Sequence, residues 1–192
     1  MEIDEEKHII ELKSAFDSYS KITKESWQQI QSIIHFQSVE KGATLLREGQ
    51  TAKYIHYICK GVFRTFFTDN QGNIYNKNIF LEGDFPASKV SLLKNTPSYF
   101  SIEALEDSVV ININFSEYRR LIEENSDLKN FYIAYIEKNW IIEKEQNEIS
   151  MVMENATARY LKLEKRVPQH HIASHLGITP TQLSRIRRDL KK

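Results

Sequence analysis

Residues 169–190 read QHHIASHLGITPTQLSRIRRDL, and the organisation of the chain is best read outward from them. Ile172, Ala173 and Leu176 fall on one face of a helix running from Gln169 to Leu176. Gly177 ends that helix, because glycine takes the left-handed conformation that a side chain resists. After Ile178 a second helix opens with three agreeing signals. Thr179 is an N-cap, Pro180 suits the first helical position, and Gln182 completes a capping box. Leu183, Ile186 and Leu190 give this helix an inward face. Thr181, Gln182, Ser184, Arg185 and Arg188 face outward, and their donors and acceptors suit base edges and phosphates in a major groove. The pair reads as a helix-turn-helix, although a capped hairpin in another helical domain would carry the same local signals.

Charge supports the nucleic-acid reading. From Arg159 to Lys192 there are nine Lys and Arg against two acids, Glu164 and Asp189, whereas the whole chain balances 26 basic against 26 acidic residues. Residues 1–158 are therefore acidic by seven charges and the tail is basic by the same amount. Such asymmetry implies a phosphate-binding module on an acidic body, with salt-sensitive affinity.

The 192 residues, 41% hydrophobic and 11% aromatic, suffice for one medium domain and a small one. No run of 18 apolar residues is present, and the start, Met1-Glu-Ile-Asp-Glu-Glu, is acidic where a signal peptide would be basic and then apolar. A cytoplasmic location without membrane association is expected. The single cysteine, Cys59, excludes an internal disulfide and a four-cysteine cluster from one chain, and its apolar surroundings predict a buried thiol.

Ile9, Leu12 and Phe16 share a helical face, and Thr23 can cap a second helix carrying Trp27, Ile30 and Ile34. From Phe36 to Phe115 the texture becomes β-rich. Five of the six glycines fall here, at 42, 49, 61, 72 and 83, between the runs Tyr54–Cys59, Val62–Thr68, Ile74–Leu81 and Val109–Phe115. That interval marks turns of an antiparallel sandwich or barrel, with Asp69-Asn70-Gln71-Gly72 as a hairpin turn. Ser116 can cap a short helix through Ile122. Ser126 or Asp127 can then start a long helix reaching about Met153. Leu128, Tyr132, Tyr135, Ile142 and Ile149, with Asn139, form one stripe on it, while Phe131, Ile133, Ile136 and Trp140 form another. One stripe can pack on the β domain while the other pairs with a second copy. The first stripe is assigned to the dimer, because a helix-turn-helix usually reads two half-sites as a symmetric pair.

Four segments carry a resemblance to known proteins. Lys41-Gly42-Ala43-Thr44-Leu45-Leu46-Arg47-Glu48-Gly49, Lys60-Gly61-Val62 and Glu82-Gly83-Asp84-Phe85 each look like a β-roll turn. Thr157-Ala158-Arg159-Tyr160-Leu161 looks like the lead into a DNA-binding unit. In this order, and over nearly the whole chain, they resemble the cyclic-AMP receptor protein/fumarate-nitrate regulator (Crp/Fnr) family of bacterial transcription factors. The resemblance implies an α+β fold in three parts. Residues 1–125 would hold N-terminal helices and a double-stranded β-helix, a jelly-roll of the cyclic-nucleotide-binding type. Residues 126–154 would form a dimerisation helix and 155–192 the helix-turn-helix.

The same resemblance implies a small-molecule pocket in the β-roll. The family's phosphate cassette uses a Gly-Glu pair and then an Arg-Ser pair, and by register those places hold Ala87-Ser88 and Ser98-Tyr99. Losing the arginine costs a bound phosphate about 1.5–3 kcal/mol per charged hydrogen bond. Arg64 or Lys89 would have to substitute from another direction, and Asp84 would not help an anion. Cyclic AMP is therefore not expected as a cofactor. The candidate effector pocket comprises Arg64, Gly83, Asp84, Phe85, Ala87, Ser88, Ser98 and Tyr99, for an unknown effector. Two departures from the family stand out: a short connector at Leu163-Glu164-Lys165-Arg166-Val167, and little chain beyond the recognition helix for a β-wing.

His171 and His175 have an i, i+4 spacing that could hold a metal, with His170 adjacent, but no third ligand is placed and solvated or phosphate-facing histidines are expected. Glu103, Glu106 and Asp107 read as a solvated turn. No nucleophile elbow, P-loop or dinucleotide fingerprint occurs, so no enzyme is expected. A metal enzyme of the cupin type would need inward ligands, and His56 is the only histidine of the β region after His35. The reading is a homodimeric, sequence-specific DNA-binding transcriptional regulator with RNA polymerase as a further partner. Its DNA-contacting set is Gln169, Thr179, Thr181, Gln182, Ser184, Arg185, Arg188 and Lys191, with Arg185 first for a base contact. The competing reading is a small-molecule or protein-interaction module without a DNA role.

Overall fold

The computed structural model describes residues 3–146, 149, 156–161, 163 and 166–190. Two helices lead the chain, α1 (Glu5–Asp17) and α2 (Lys24–Ser32), the second capped by Thr23, whose side chain accepts from the Ser26 amide. Seven strands follow: β1 (Ile34–Val39), β2 (Thr44–Leu46), β3 (Tyr54–Lys60), β4 (Phe63–Thr68), β5 (Ile74–Phe80), β6 (Ser101–Ala104) and β7 (Ser108–Asn114). A short helix, α3 (Lys89–Lys94), interrupts them between β5 and β6. The strands form two antiparallel sheets, ordered β1-β7-β3 and β2-β6-β4-β5. The four runs expected as strands are β3, β4, β5 and β7, within a residue or two at each end.

The sheets face each other across a dry layer of Val39, Leu46, Ile58, Phe63, Ile102, Ala104 and Val110. Such a sandwich needs tight corners, and Gly61 shows why one of them admits no side chain. Its φ is +115°, and a Cβ there would lie 2.0 Å from Ser108 Oγ. The β4–β5 turn closes as expected: Gly72 N donates to Asp69 O, and the Asp69 carboxylate accepts from the Gln71 and Asn73 amides.

On the outer side of β1-β7-β3 lies a second, aromatic core. It joins α1 and α2 to α4 (Phe115–Glu124) and α5 (Ser126–Ile136). Asn114, not Ser116, caps α4, by accepting from Glu117 N. The long helix does not run on as an ideal α-helix either. After Ile136 it becomes a π-helix over Glu137–Ile142, with Glu143 N bonding to Lys138 O. Its expected end near Met153 lies outside the described residues.

The C-terminal part contains α6 (Ala156–Leu161), α7 (Gln169–Leu176) and α8 (Pro180–Asp189). A third apolar cluster joins Tyr160, Val167, Ile172, Ala173, Leu176 and Leu183 to Val62 and Leu105 of the β-sandwich. Among the described residues no helix is long and apolar enough to cross a membrane.

Candidate functional site

The α7–α8 pair has the geometry that its local chemistry dictates. Gly177 sits at φ +68°, and its amide and that of Ile178 turn back onto the α7 carbonyls. Thr179 Oγ1 accepts from Gln182 N at 3.2 Å, while Thr179 N donates to Gln182 Oε1 at 2.8 Å. This reciprocal capping box occupies the Gln182 carbonyl. Leu183 is buried and Ile186 half-buried, but Leu190 is 43% exposed, so the inward face is shorter than the spacing predicts. Thr181, Gln182, Ser184, Arg185 and Arg188 all stand in solvent along one helix. Thr179 is exposed beside them. Gln169 departs from the expected set: it is half-buried, with Oε1 out of contact with solvent. Lys191 lies outside the described residues.

The opposite side of α7 lies on β5. Asn76 N donates to Ser174 Oγ at 2.9 Å, and Asn76 Nδ2 donates to the His171 carbonyl at 3.1 Å. Arg64, expected in the effector pocket, belongs to this contact instead. Its guanidinium pairs with Glu103 at 3.0 Å, donates to Asn76 Oδ1 at 3.1 Å and reaches His171 Nδ1 at 3.1 Å. Burial, and then the Arg64 charge, hold His171 down to about 4. A neutral ring can accept from the guanidinium, whereas an imidazolium would repel it. His171 is therefore half-buried against Arg64 and Asn76 and not a freely solvated or phosphate-facing ring. Among the described residues no group of three metal-ligating side chains occurs.

Three acids expected in a solvated turn also have structural partners. Glu103 holds Arg64, Glu106 pairs with Arg166, and Asp107 accepts from Lys41 N at 2.8 Å. Arg166 also grips Glu82 at 2.7 and 2.8 Å. That guanidinium holds the Glu82 carboxyl down to about 2. The C-terminal helices are thus tied to the Glu82-Gly83-Asp84 turn itself.

The other expected pocket residues do not come together around one space. Ser88 and Ser98 are buried and close on each other at 2.9 Å, Tyr99 is 77% exposed, and the Asp84 carboxylate accepts from Leu81 N in its own turn. Gly83 shapes that turn with φ +87°. Only Phe85 lines a cavity of about 310 Å³ between α3, α5 and the π-helix. Neither Ala87 nor either serine reaches it. The sequence reading missed most of its walls, which come from Phe16, Tyr118, Phe131, Tyr135 and Trp140 among others. Lys89, named only as a substitute cation, stands at its edge.

The stripe assigned to a dimer turns out to be divided. Leu128 is fully buried in its own chain, Tyr132 and Tyr135 pack on the same aromatic core, and Asn139 bonds to Tyr19 and to the Tyr135 carbonyl. Leu128 is therefore not available to a second copy, while the other three are partly engaged within their own chain. Ile142 and Ile149 are exposed, at 53% and 51%, together with Ile133, Trp140 and Ile141. A π-helical turn takes up an extra residue and rotates later side chains by about 100°. A regular 3–4 spacing therefore changes faces at Glu137–Ile142.

Residues 36–125 match the cyclic nucleotide-binding domain family. The chain is similar in structure to FixK2 from Bradyrhizobium japonicum, with 15% identity, 83% of this chain and 85% of that one covered, and a TM-score of 0.66. It is similar to DNR from Pseudomonas aeruginosa, with 20% identity, 99% and 89% covered, and a TM-score of 0.60. It also resembles the c-di-GMP responsive global regulator CLP of Xanthomonas campestris, with 12% identity, 88% and 92% covered, and a TM-score of 0.65. These likenesses establish a shared fold. No curated protein sequence matches the chain.

Proposed function

We propose that this chain, which has the fold of the Crp/Fnr regulators and carries a cyclic nucleotide-binding domain over residues 36–125, is a homodimeric, sequence-specific DNA-binding transcriptional regulator. The observation that carries the reading is the capped α7–α8 pair, which presents Thr181, Ser184, Arg185 and Arg188 along one exposed helix. This is a helix-turn-helix in which α8 enters the major groove. Arg185 takes a base edge, as a bidentate partner of guanine, and Arg188 takes phosphate. Residues 1–125 act as the sensor, 126–154 as the dimerisation helix and 155–192 as the DNA-binding unit.

The dimer forms through the exposed apolar face of Ile133, Trp140, Ile141, Ile142 and Ile149. Cyclic-AMP binding is lost. The Ser88–Ser98 closure and the engagement of Arg64 with Glu103 leave the cassette positions without a cation for a phosphate. The protein works in the cytoplasm and acts on RNA polymerase at promoters.

The test is retention of genomic DNA fragments by the purified protein at several salt concentrations, followed by sequencing, with and without cyclic AMP. A short inverted repeat should be enriched, its affinity should fall steeply with salt, and the nucleotide should have no effect. Absence of enrichment at every salt would overturn the regulator reading. Arg185→Ala should relax the preference at one base position by about 1–3 kcal/mol. An unchanged preference with merely weaker binding would place Arg185 on phosphate instead.

A further inference from the structure

Fourteen of the fifteen side chains lining the 310 Å³ cavity are aliphatic or aromatic, and the exception is Lys89. Its ammonium lies 4.0 Å from the centre of the Trp140 ring and 5.5 Å from that of Tyr135, with the Tyr135 hydroxyl at 3.4 Å. Among the described residues no carboxylate makes an ion pair with it. Burial, with Lys77 adding to it, pulls Lys89 down to about 8, so it remains mostly cationic at neutral pH. A cation held by ring faces in an apolar chamber has lost much of its hydration without an ion-pairing partner, since Asp84 and Glu143, whose charges act on Tyr135, make no ion pair with it.

The chamber is separate from the nucleotide-cassette positions, since Ser88 and Ser98 close on each other and do not line it. We infer that the cavity binds a small amphiphilic monoanion, a carboxylate on an aliphatic or aromatic body. The carboxylate meets Lys89 Nζ and the Tyr135 hydroxyl, and the body lies against Phe85, Leu92, Phe131 and Ile136. At the roughly 30 Å³ that a water occupies in the liquid, the space holds about ten non-hydrogen atoms. A phosphate dianion would find one cation where it needs more, and a sugar would bury hydroxyls without partners. Trp140 belongs both to the cavity wall and to the exposed face proposed for the dimer, so occupancy changes what that face presents.

This inference rests on the β-roll being a sensor, and its test uses no DNA, so the two readings fail separately. Octanoate, 1-octanol and octylammonium are titrated calorimetrically into the full chain and into Lys89→Met and Lys89→Arg. Octanoate should saturate at one per chain and bind about ten-fold or more tightly than 1-octanol, with octylammonium weakest. Lys89→Met should bring octanoate down to the affinity of the alcohol, and Lys89→Arg should keep the preference. Equal affinity for acid and alcohol in the wild-type chain would overturn the inference whatever the variants do. So would the absence of saturable octanoate binding, which would leave the apolar rim of Val90, Leu93 and Trp140 to a second copy.

Discussion

Where α5 packs outside the β1-β7-β3 sheet, the contact is made of rings: Phe16 and Phe131 stack at 4.3 Å and 4°, with Trp27, Tyr19 and Phe85 edge-on around them. Where α7 lies on β5, a smaller apolar patch is framed by Arg64, Asn76, His171, Ser174 and the Arg166 pairs. The first contact is held by exclusion of water, and nothing dissolved in water replaces it. The second joins a smaller set of apolar contacts to hydrogen-bonding groups that water can substitute. The C-terminal helices are therefore expected to leave the β-sandwich at lower cost than α5.

The most severe test of that contrast is Phe131→Ala, expected to cost about 3–5 kcal/mol in chemical denaturation. A loss no larger than that from breaking the α7 contact would show that the two interfaces are equivalent. Acid should loosen the second interface locally, whereas His56, held down to about 4 by burial inside the sandwich, couples acid to the unfolding of the β domain as a whole. His171 is held near 4 in the docked state and returns to its ordinary 6.5 when exposed. The docked form is then fully favoured above pH 6.5 and loses ground as the pH falls toward 4. Between pH 7 and 4.5 the loss should reach about 1–2 kcal/mol, after discounting for the partial exposure of the ring. Amide exchange of α7 and α8, corrected for intrinsic rates, should rise while α5 stays protected. Loss of protection in α7 and α8 no earlier than in α5 as the pH falls would refute a local opening.

Thr179→Ala probes the helical pair itself and not its seat on β5. Loss of the cap should cost about 1 kcal/mol in the local stability of α8, and unaltered exchange of β5 would separate the two effects. Arg166→Ala should be mildest, from a few tenths to about 1 kcal/mol, because the pairs to Glu82 and Glu106 are partly exposed. The effect should fade in high salt. A loss above about 2 kcal/mol would make the Glu82 turn the main anchor of the C-terminal helices.

Local chemistry made much of this architecture readable. Thr23, Gly177, and Thr179 with Gln182 act within four residues of themselves, so the helices that they bound lie where the sequence places them. The β runs were legible for the same reason, through alternation and the glycine-marked turns. The errors cluster where distant segments compete for a side chain. Leu128 and Ile142 share a periodicity, yet one is buried in its own chain and the other, at the end of the π-helical stretch, is exposed. Arg64 looked like a ligand cation, but Glu103 one strand away and His171 more than a hundred residues away claim it.

From the sequence alone followed the order of the elements, the caps and turns, the charged tail, and the outward set Thr181, Ser184, Arg185 and Arg188, since each depends on neighbours along the chain. Only the tertiary structure decided which sheet receives α7, which stripe of the long helix is covered, and that Lys89 stands over an apolar cavity. Those outcomes depend on the burial and charge of groups far apart in sequence, and a periodic pattern has no access to them.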